Sequence, residues 1–427
     1  MSRDKIILGE NLSFSTDTDK TGINNNNVVV CAGSGSGKTM SIIEPRLINT
    51  FDSSLIVTLT KRRLVPKYKS LFEERGYEVQ DLNFVNPKLS TVTYDPLKYV
   101  KSYSDINFLA QSIVLSDPRK RKESSSIDPY WDNAAISLLS AEIAYVMMSK
   151  EDRTFADVLK MHDNLNLREY GSSISTSYDS QFERLAEEDP GCFAVNCWNS
   201  FKSLPIKTAS CVFGTLNTTI DNIFSPEMRK MISDKKKINF KSIAKKKTVL
   251  FITTSAVNPS LNCFVNMFYA QMFKQLFEFA ESLPSGQLPI PVSVLCDDFA
   301  TGSKVLNFPE YISILREKKI SVTILLQSES QLESIYGTND ATTIINNCDT
   351  YVFMGGMDLV TASHISQRLN VPIEDVLYMP IGKEYVFRRG QKPVSTNRYN
   401  ILKDKVYQRV TEKYNMLVSS GNESDRR

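Results

Sequence analysis

Ala32-Gly33-Ser34-Gly35-Ser36-Gly37-Lys38-Thr39 follows the apolar run Val28-Val29-Val30-Cys31 and leads into a helix-like stretch beginning near Met40. A glycine-rich turn between a strand and a helix reads as a phosphate loop. Gly33, Gly35 and Gly37 carry no Cβ, so the backbone is free to take positive φ and aim its amides at an anion. The helix N-terminus behind the loop adds partial positive charge. Lys38 then reaches the β- and γ-phosphates of a nucleoside triphosphate, and the Thr39 hydroxyl holds Mg2+. The stretch Ala32 to Thr39 is therefore the expected nucleotide-binding segment. The competing reading is an ordinary Gly/Ser turn, and the strand before it and helix after it weigh against that.

Such a loop needs a carboxylate at the end of a neighbouring strand. Val292-Ser293-Val294-Leu295-Cys296-Asp297-Asp298 supplies an apolar strand ending in two acids. Asp297 is expected to hold the metal through its waters, and Asp298 to orient or deprotonate the attacking water. Gln327 ends the next strand, Val322-Thr323-Ile324-Leu325-Leu326, where a polar amide reads as a γ-phosphate sensor. Arg316 lies on a predicted helix from Tyr311 to Lys318 between these strands. Either it is solvated surface beside Lys318 and Lys319, or it is an arginine finger for a neighbouring subunit's nucleotide, which requires a ring.

The 427 residues leave room for two or three domains, or for one domain with a large insertion. With 41% hydrophobic and 23% charged residues the composition is that of a globular protein. A net charge of +3 is too small to argue nucleic-acid binding from the global field. Basic clusters at Lys61-Arg62-Arg63, Arg119-Lys120-Arg121-Lys122, Lys235-Lys236-Lys237 and Lys245-Lys246-Lys247 read as solvated surface. Seven scattered cysteines and two histidines, His162 and His364, make a zinc site improbable and point to a reducing cytosol. No run approaches the ~18 apolar residues that span a bilayer.

Strand signals at Ser54 to Thr58 and from Tyr77, with a helix from Lys67 to Arg75 closed by Gly76, begin a parallel α/β sheet. Between about Ile106 and Ser233 helical periodicity takes over, clearest from Trp131 to Met148. Strands return at Thr248 to Thr254, Val292 to Cys296, Ile320 to Leu326 and Thr350 to Met354, with a long apolar helix from Phe264 to Ala280. The fold class is α/β with a parallel sheet and an inserted all-α domain. The expected domains are a discontinuous nucleotide-binding domain over 1–105 and 234–404, an all-α domain over 106–233, and a polar, frayed tail over 405–427. The first 27 residues read as a polar loop, and Ser116 to Ser126 as a polar connection.

These residues together resemble a known family, the type IV coupling proteins, the TraG/TraD-like ATPases of conjugation and type IV secretion. Asp297-Asp298-Phe299-Ala300 is similar to the family's Asp-Glu-Phe-Ala motif, and Ile320 to Ser328 to its sensor strand. Ile344-Ile345-Asn346-Asn347-Cys348-Asp349 with Gly355-Gly356 resembles a further family pattern. Asp128-Pro129-Tyr130-Trp131 looks like the entry to its all-α domain, and Tyr94-Asp95-Pro96-Leu97 like its Asn-Pro-Leu segment. Lys61 sits where the family has Asp-Pro-Lys-Gly, and the resemblance runs from Leu8 to Tyr399.

The resemblance implies a RecA-like motor that uses ATP and Mg2+ and assembles as a homo-hexamer. It implies relaxase-bound single-stranded DNA or secreted proteins as substrates, recognised by the all-α domain and passed to type IV secretion channel components. Arg316, nineteen residues after Asp297, and Gln327, thirty after it, match the family's finger arginine and sensor glutamine. Three departures stand out. Asp298 replaces a catalytic glutamate, and a misplacement of about 1 Å can cost ~10²-fold in rate. Leu59-Thr60 replaces Asp-Pro before Lys61. Members usually begin with transmembrane helices, whereas this chain starts near where the soluble part would. The expectation is a cytoplasmic protein recruited to the inner face of the cell membrane, by a separate membrane-anchor subunit or by other partners. Two other readings stand beside the motor: an ATP-binding substrate receptor or adaptor with weak turnover, and a cytosolic DNA translocase.

Overall fold

The computed structural model describes residues 2–116, 129–149, 151–170, 173–233, 236–255, 258–299, 301 and 304–420. Its strands are β1 Lys5–Gly9, β2 Leu12–Ser15, β3 Val28–Cys31, β4 Ser54–Leu59, β5 Glu78–Asn83, β6 Leu167–Tyr170, β7 Ser173–Thr176, β8 Thr248–Thr253, β9 Val292–Cys296, β10 Ile320–Leu326, β11 Thr350–Phe353, β12 Lys383–Arg388 and β13 Val394–Asn397. Nine of them make one sheet in the order β13-β12-β11-β3-β10-β9-β4-β8-β5. From β11 to β5 every pairing is parallel. The apolar runs are continuous because helices cover both faces, as a parallel sheet requires. Val28 and Val30 enter one core cluster while Val29 and Cys31 enter the other, so the period of two survives inside an unbroken run of valines.

Between β5 and β8 the chain builds a helical block from Tyr103–Val114 to Pro226–Ser233, including the long helix Pro129–Ser149. One antiparallel hairpin, β6-β7, interrupts the expected all-α character. The block has no core of its own. Leu138, Phe155 and Ile220 belong to the same cluster as Ile252, Val294 and Ile324 of the sheet. The apolar helix between β8 and β9 spans Pro259–Glu281 and forms this seam. Gln271, which makes its sequence too polar for a membrane, is buried and partnered: its Oε1 accepts from Tyr94 Oη at 2.5 Å and its Nε2 donates to Pro96 O at 2.9 Å. Lys274 pairs with Asp105, which closes the capping box of the helix Tyr103–Val114. No helix among the described residues is long and apolar enough to cross a membrane.

Several expectations need correction. The N-terminal 27 residues are not a loop, since β1 and β2 form a hairpin turned at Asn11, whose φ is +59°. The tail is not frayed from 405 onward. Lys405–Ser419 is a helix with Asp404 as its N-cap, resting on the helix Leu64–Glu74 through buried Val410 and ion pairs of Lys413 and Arg409 to Glu74. Its polarity is that of a helix buried on one narrow stripe. The parallel sheet carries two further strands, β12 and β13, which pair antiparallel at the β11 edge. Arg316 sits on a 3-10 turn, Leu315–Lys318, which follows the helix Phe308–Ile314. Most of the Ser116–Ser126 connection, with Asp128, Ala300 and residues 421–427, lies outside the described residues.

The hairpin is tied to the sheet by Asp4, which is fully buried. Its carboxylate accepts from the amides of Phe51, Asp52 and Ser53 at 2.6, 2.9 and 3.0 Å and from the Ser53 hydroxyl. Asp4→Ala strands these donors in the turn before β4 and is expected to cost about 3 kcal/mol. The check is the urea unfolding midpoint of the variant against the native chain.

Candidate nucleotide site

β3 lies between β10 and β11, with Cys31 level with Leu326 on one side and Phe353 on the other. The phosphate loop therefore leaves the sheet at the edge where β9 and β10 also end. Ala32 donates its amide to Leu326 O at 3.1 Å, and Gly33 donates to Gly355 O at 2.9 Å. These two residues fasten the loop from behind, while Ser34 to Thr39 line a cleft of about 430 Å³. Gly35 and Gly37 take φ of +72° and +83°, which a side chain would resist. Gly33 does not take positive φ, contrary to expectation. A Cβ there would meet Gly356 Cα at 3.7 Å, an ordinary contact.

Asp297, Asp298 and Gln327 line the same cleft as Lys38 and Thr39. Asp297 is buried, and burial together with the Asp298 charge pushes its carboxyl up to about 6, against the pull of Lys38 and Lys61. Burial lowers the Lys38 ammonium, which Asp298 and Asp297 partly restore. Lys38 Nζ donates to Ala32 O at 2.6 Å. Asp298 takes φ of +50°, a left-handed conformation that costs an aspartate little. Phe299 holds that bend in place: its amide donates to Leu325 O at 3.0 Å and its ring packs 4.8 Å from that of Phe308. A buried carboxyl pushed up by desolvation and by the neighbouring Asp298 charge fits a divalent cation, which would let Asp297 ionise. Thr39 and Asp297 both line the cleft in which such an ion would sit.

Arg316 is not part of this cleft. It is exposed on the turn that precedes β10, whereas Gln327 follows the far end of that strand. Seven residues of strand put roughly 20 Å between the arginine and its own chain's phosphate loop.

Residues 2–370 match the family described as type IV secretory system conjugative DNA transfer. The chain belongs to that family. It is similar in structure to the plasmid coupling protein TrwB in complex with the non-hydrolysable ATP analogue ADPNP, with a TM-score of 0.65 and 15% identity, over 89% of this chain and 86% of that one. The TrwB complex with ADP and Mg2+ matches with a TM-score of 0.65 at 15% identity, over 88% and 85%. VirB4 of Thermoanaerobacter pseudethanolicus matches with a TM-score of 0.56 at 10% identity, over 95% and 98%. No curated protein sequence matches the chain. At such identities the likeness is one of fold, a RecA-like P-loop domain with an inserted helical domain.

In this conjugative DNA-transfer protein the structure adds residues that sequence reading missed. Arg398, just beyond β13, donates to Ser36 O in the phosphate loop, to Met354 O at the end of β11, and through Nε to Lys383 O at 3.4 Å. It clamps the loop from a position 362 residues away, and nothing local marks it out. Thr60, Lys61, Arg63 and Glu44 also line the cleft. Thr60 and Lys61 are positions that the resemblance already marks, and Glu44, an acid in the apolar stretch after the loop, carries a signal of its own.

Beside Arg398 stands Glu384 on β12, 1% exposed, with neither carboxylate oxygen hydrogen-bonded. The hairpin presses on it so closely that a Cβ on Gly9 would fall 2.8 Å from its Oε1. Burial pushes this carboxyl up to about 8, with Arg398 pulling the other way. The folded chain thus keeps a proton that the unfolded chain has already released. Stability is full below the ordinary carboxylate range and falls as pH rises towards about 8. Urea midpoints measured from pH 5 to pH 9 should show this decline in the native chain and lose it in Glu384→Gln.

Proposed function

We propose that this chain is the ATP-hydrolysing coupling subunit of a conjugative or type IV secretion apparatus. It binds ATP with Mg2+ and drives relaxase-bound single-stranded DNA, or a protein substrate, towards the secretion channel. The observation that carries the reading is the meeting of Lys38, Thr39, Asp297, Asp298 and Gln327 on one cleft at the C-terminal edge of the sheet. Family membership supplies the transport context. The helical block, about 106–233, is the proposed substrate-recognition domain, flanked by a nucleotide-binding domain of 1–105 and 234–404. Recruitment to the inner face of the cell membrane, by channel components or a separate anchor subunit, belongs to the same proposal.

Each residue has a task in this reading. The loop amides and Lys38 bear the phosphate charge, and Thr39 and Asp297 hold Mg2+. When bound, Mg2+ neutralises charge on the phosphoryl oxygens. Asp298 orients the attacking water and takes its proton. Gln327, at the end of β10, senses the γ-phosphate. Arg316 acts on the neighbouring subunit's ATP in a homo-hexamer, which its exposure and its distance from its own loop support.

Arg316→Ala and Lys38→Ala should each lower ATP turnover at least about a hundredfold. Mixing the two variants should restore part of it, because some interfaces then pair an intact loop with an intact finger. Turnover unchanged in Lys38→Ala, or no recovery on mixing, counts against the motor and the shared site respectively.

Asp298 favours a second reading, a receptor that binds ATP and turns it over slowly. Its carboxylate is one methylene shorter than the glutamate of the motif that it resembles. If reach limits the native chain, Asp298→Glu should raise kcat by about tenfold or more with little change in KM. Brisk native turnover with no gain in the variant excludes the receptor.

A further inference from the structure

Glu44 is a carboxylate on the cleft wall that neither the phosphate loop nor the acid-ended strand explains. It is 3% exposed, and its Oε2 takes two donors, Lys67 Nζ at 2.8 Å and Tyr68 Oη at 2.6 Å. Burial and the Glu44 charge push the Tyr68 phenol up, so that it stays protonated and donates. Lys67 is gripped from its other side by the ring of Tyr407, whose centroid lies 3.8 Å from Nζ. No described residue donates to Oε1. A purely structural ion pair buried this deeply needs its remaining lone pairs satisfied to offset desolvation. Here both donors sit on one oxygen, and the other is left to the cleft.

The backbone puts Glu44 there. Thr39–Ile43 is a π-helical turn, closed when the Glu44 amide donates to Thr39 O. In an α-helix the residue that closes onto Thr39 would be Ile43. The wider turn leaves Ile43 fully buried in the core and hands the place over Thr39 to Glu44. Single π turns inside helices recur at functional sites, because they re-aim one side chain without disturbing the rest.

We propose that Glu44 is a positioning residue for the nucleotide's metal: Oε1 accepts a hydrogen bond from a water of the Mg2+ shell, one turn behind the Thr39 hydroxyl. This rests on the reading of the cleft as an ATP and Mg2+ site. Lys67, Tyr68 and Tyr407 fix the carboxylate so that it meets the hydrated ion without rearrangement. Glu44 thereby supplies a charge to the cleft that Thr60 and Lys61 also line, where Leu59-Thr60 supplies none.

The test is the affinity of the full chain for a fluorescent non-hydrolysable ATP analogue, measured with Mg2+ and with a chelator. The native chain should bind more tightly with Mg2+, and in Glu44→Gln that gain should shrink about tenfold, the usual effect of removing an outer-shell partner. Glu44→Gln leaves Lys67 buried without its counter-charge, so Glu44→Gln/Lys67→Met, which removes both charges, is measured beside it. The same loss of the Mg2+ gain in the double variant supports the proposal, and a full Mg2+ gain in it overturns the proposal. A native chain that binds no analogue under either condition overturns instead the nucleotide reading beneath it.

Discussion

The placement of β3 between β10 and β11 is the constraint on which the site depends. A four-residue strand, buried throughout, is held in register on both sides, so Cys31 ends level with Leu326 and Phe353. The amide of Ala32 continues the ladder onto Leu326 O before the chain turns away. β9, on the other side of β10, ends with Cys296 level with Ile324, two residues before Leu326, and delivers Asp297. Because all these strands are parallel, their C-terminal ends share one edge, and the crevice outside that edge is where an open α/β sheet binds ligands. A slip of one residue would turn the valines of β3 to the wrong faces and lift the loop out of reach of the acids.

Holding that edge together puts charge where charge is costly. Burial lowers the Lys38 ammonium and raises the Asp297 carboxyl, the opposed shifts expected of a site that awaits a polyanion and a cation. Behind the loop the arrangement is reversed. Arg398 spends its donors on the carbonyls of Ser36, Met354 and Lys383, leaving the buried carboxyl of Glu384 without a hydrogen bond. The loop is stiffened at the expense of an acid held neutral nearby. The N-terminal hairpin and the antiparallel edge strands meet at this point, which makes them part of the support of the phosphate loop.

What was readable in the chain was local. The loop glycines, the Val292–Cys296 run ending in acids and the Ile320–Leu326 run ending in Gln327 each carry their meaning within a dozen residues, and the structure brings them to one cleft. Lys5–Gly9 and Val394–Asn397 went unread as strands because each is short and takes its stability from a partner: β1 from its hairpin mate and the Asp4 anchor, β13 from β12. Lys405–Ser419 reads as a tail because its apolar stripe is narrow and the rest of the helix is polar, burying little more than Val410. Gly33 shows the opposite error, since membership of a glycine-rich motif does not make every glycine a positive-φ residue.

The sequence by itself determined the local pieces: a glycine-rich phosphate loop after a strand, two acids ending one strand, an amide ending another, and a helical insertion in a parallel α/β sheet. These follow from residue types at fixed spacing along one stretch of chain, where backbone geometry alone relates them. Only the tertiary structure decided that Arg398 clamps the loop, that Glu384 is buried without a bond, that Glu44 faces the cleft through a widened turn, and that Arg316 stands at the opposite end of its strand from its own phosphate loop. Those relations join residues tens to hundreds of positions apart, and register, burial and the shared core create them where no local pattern can.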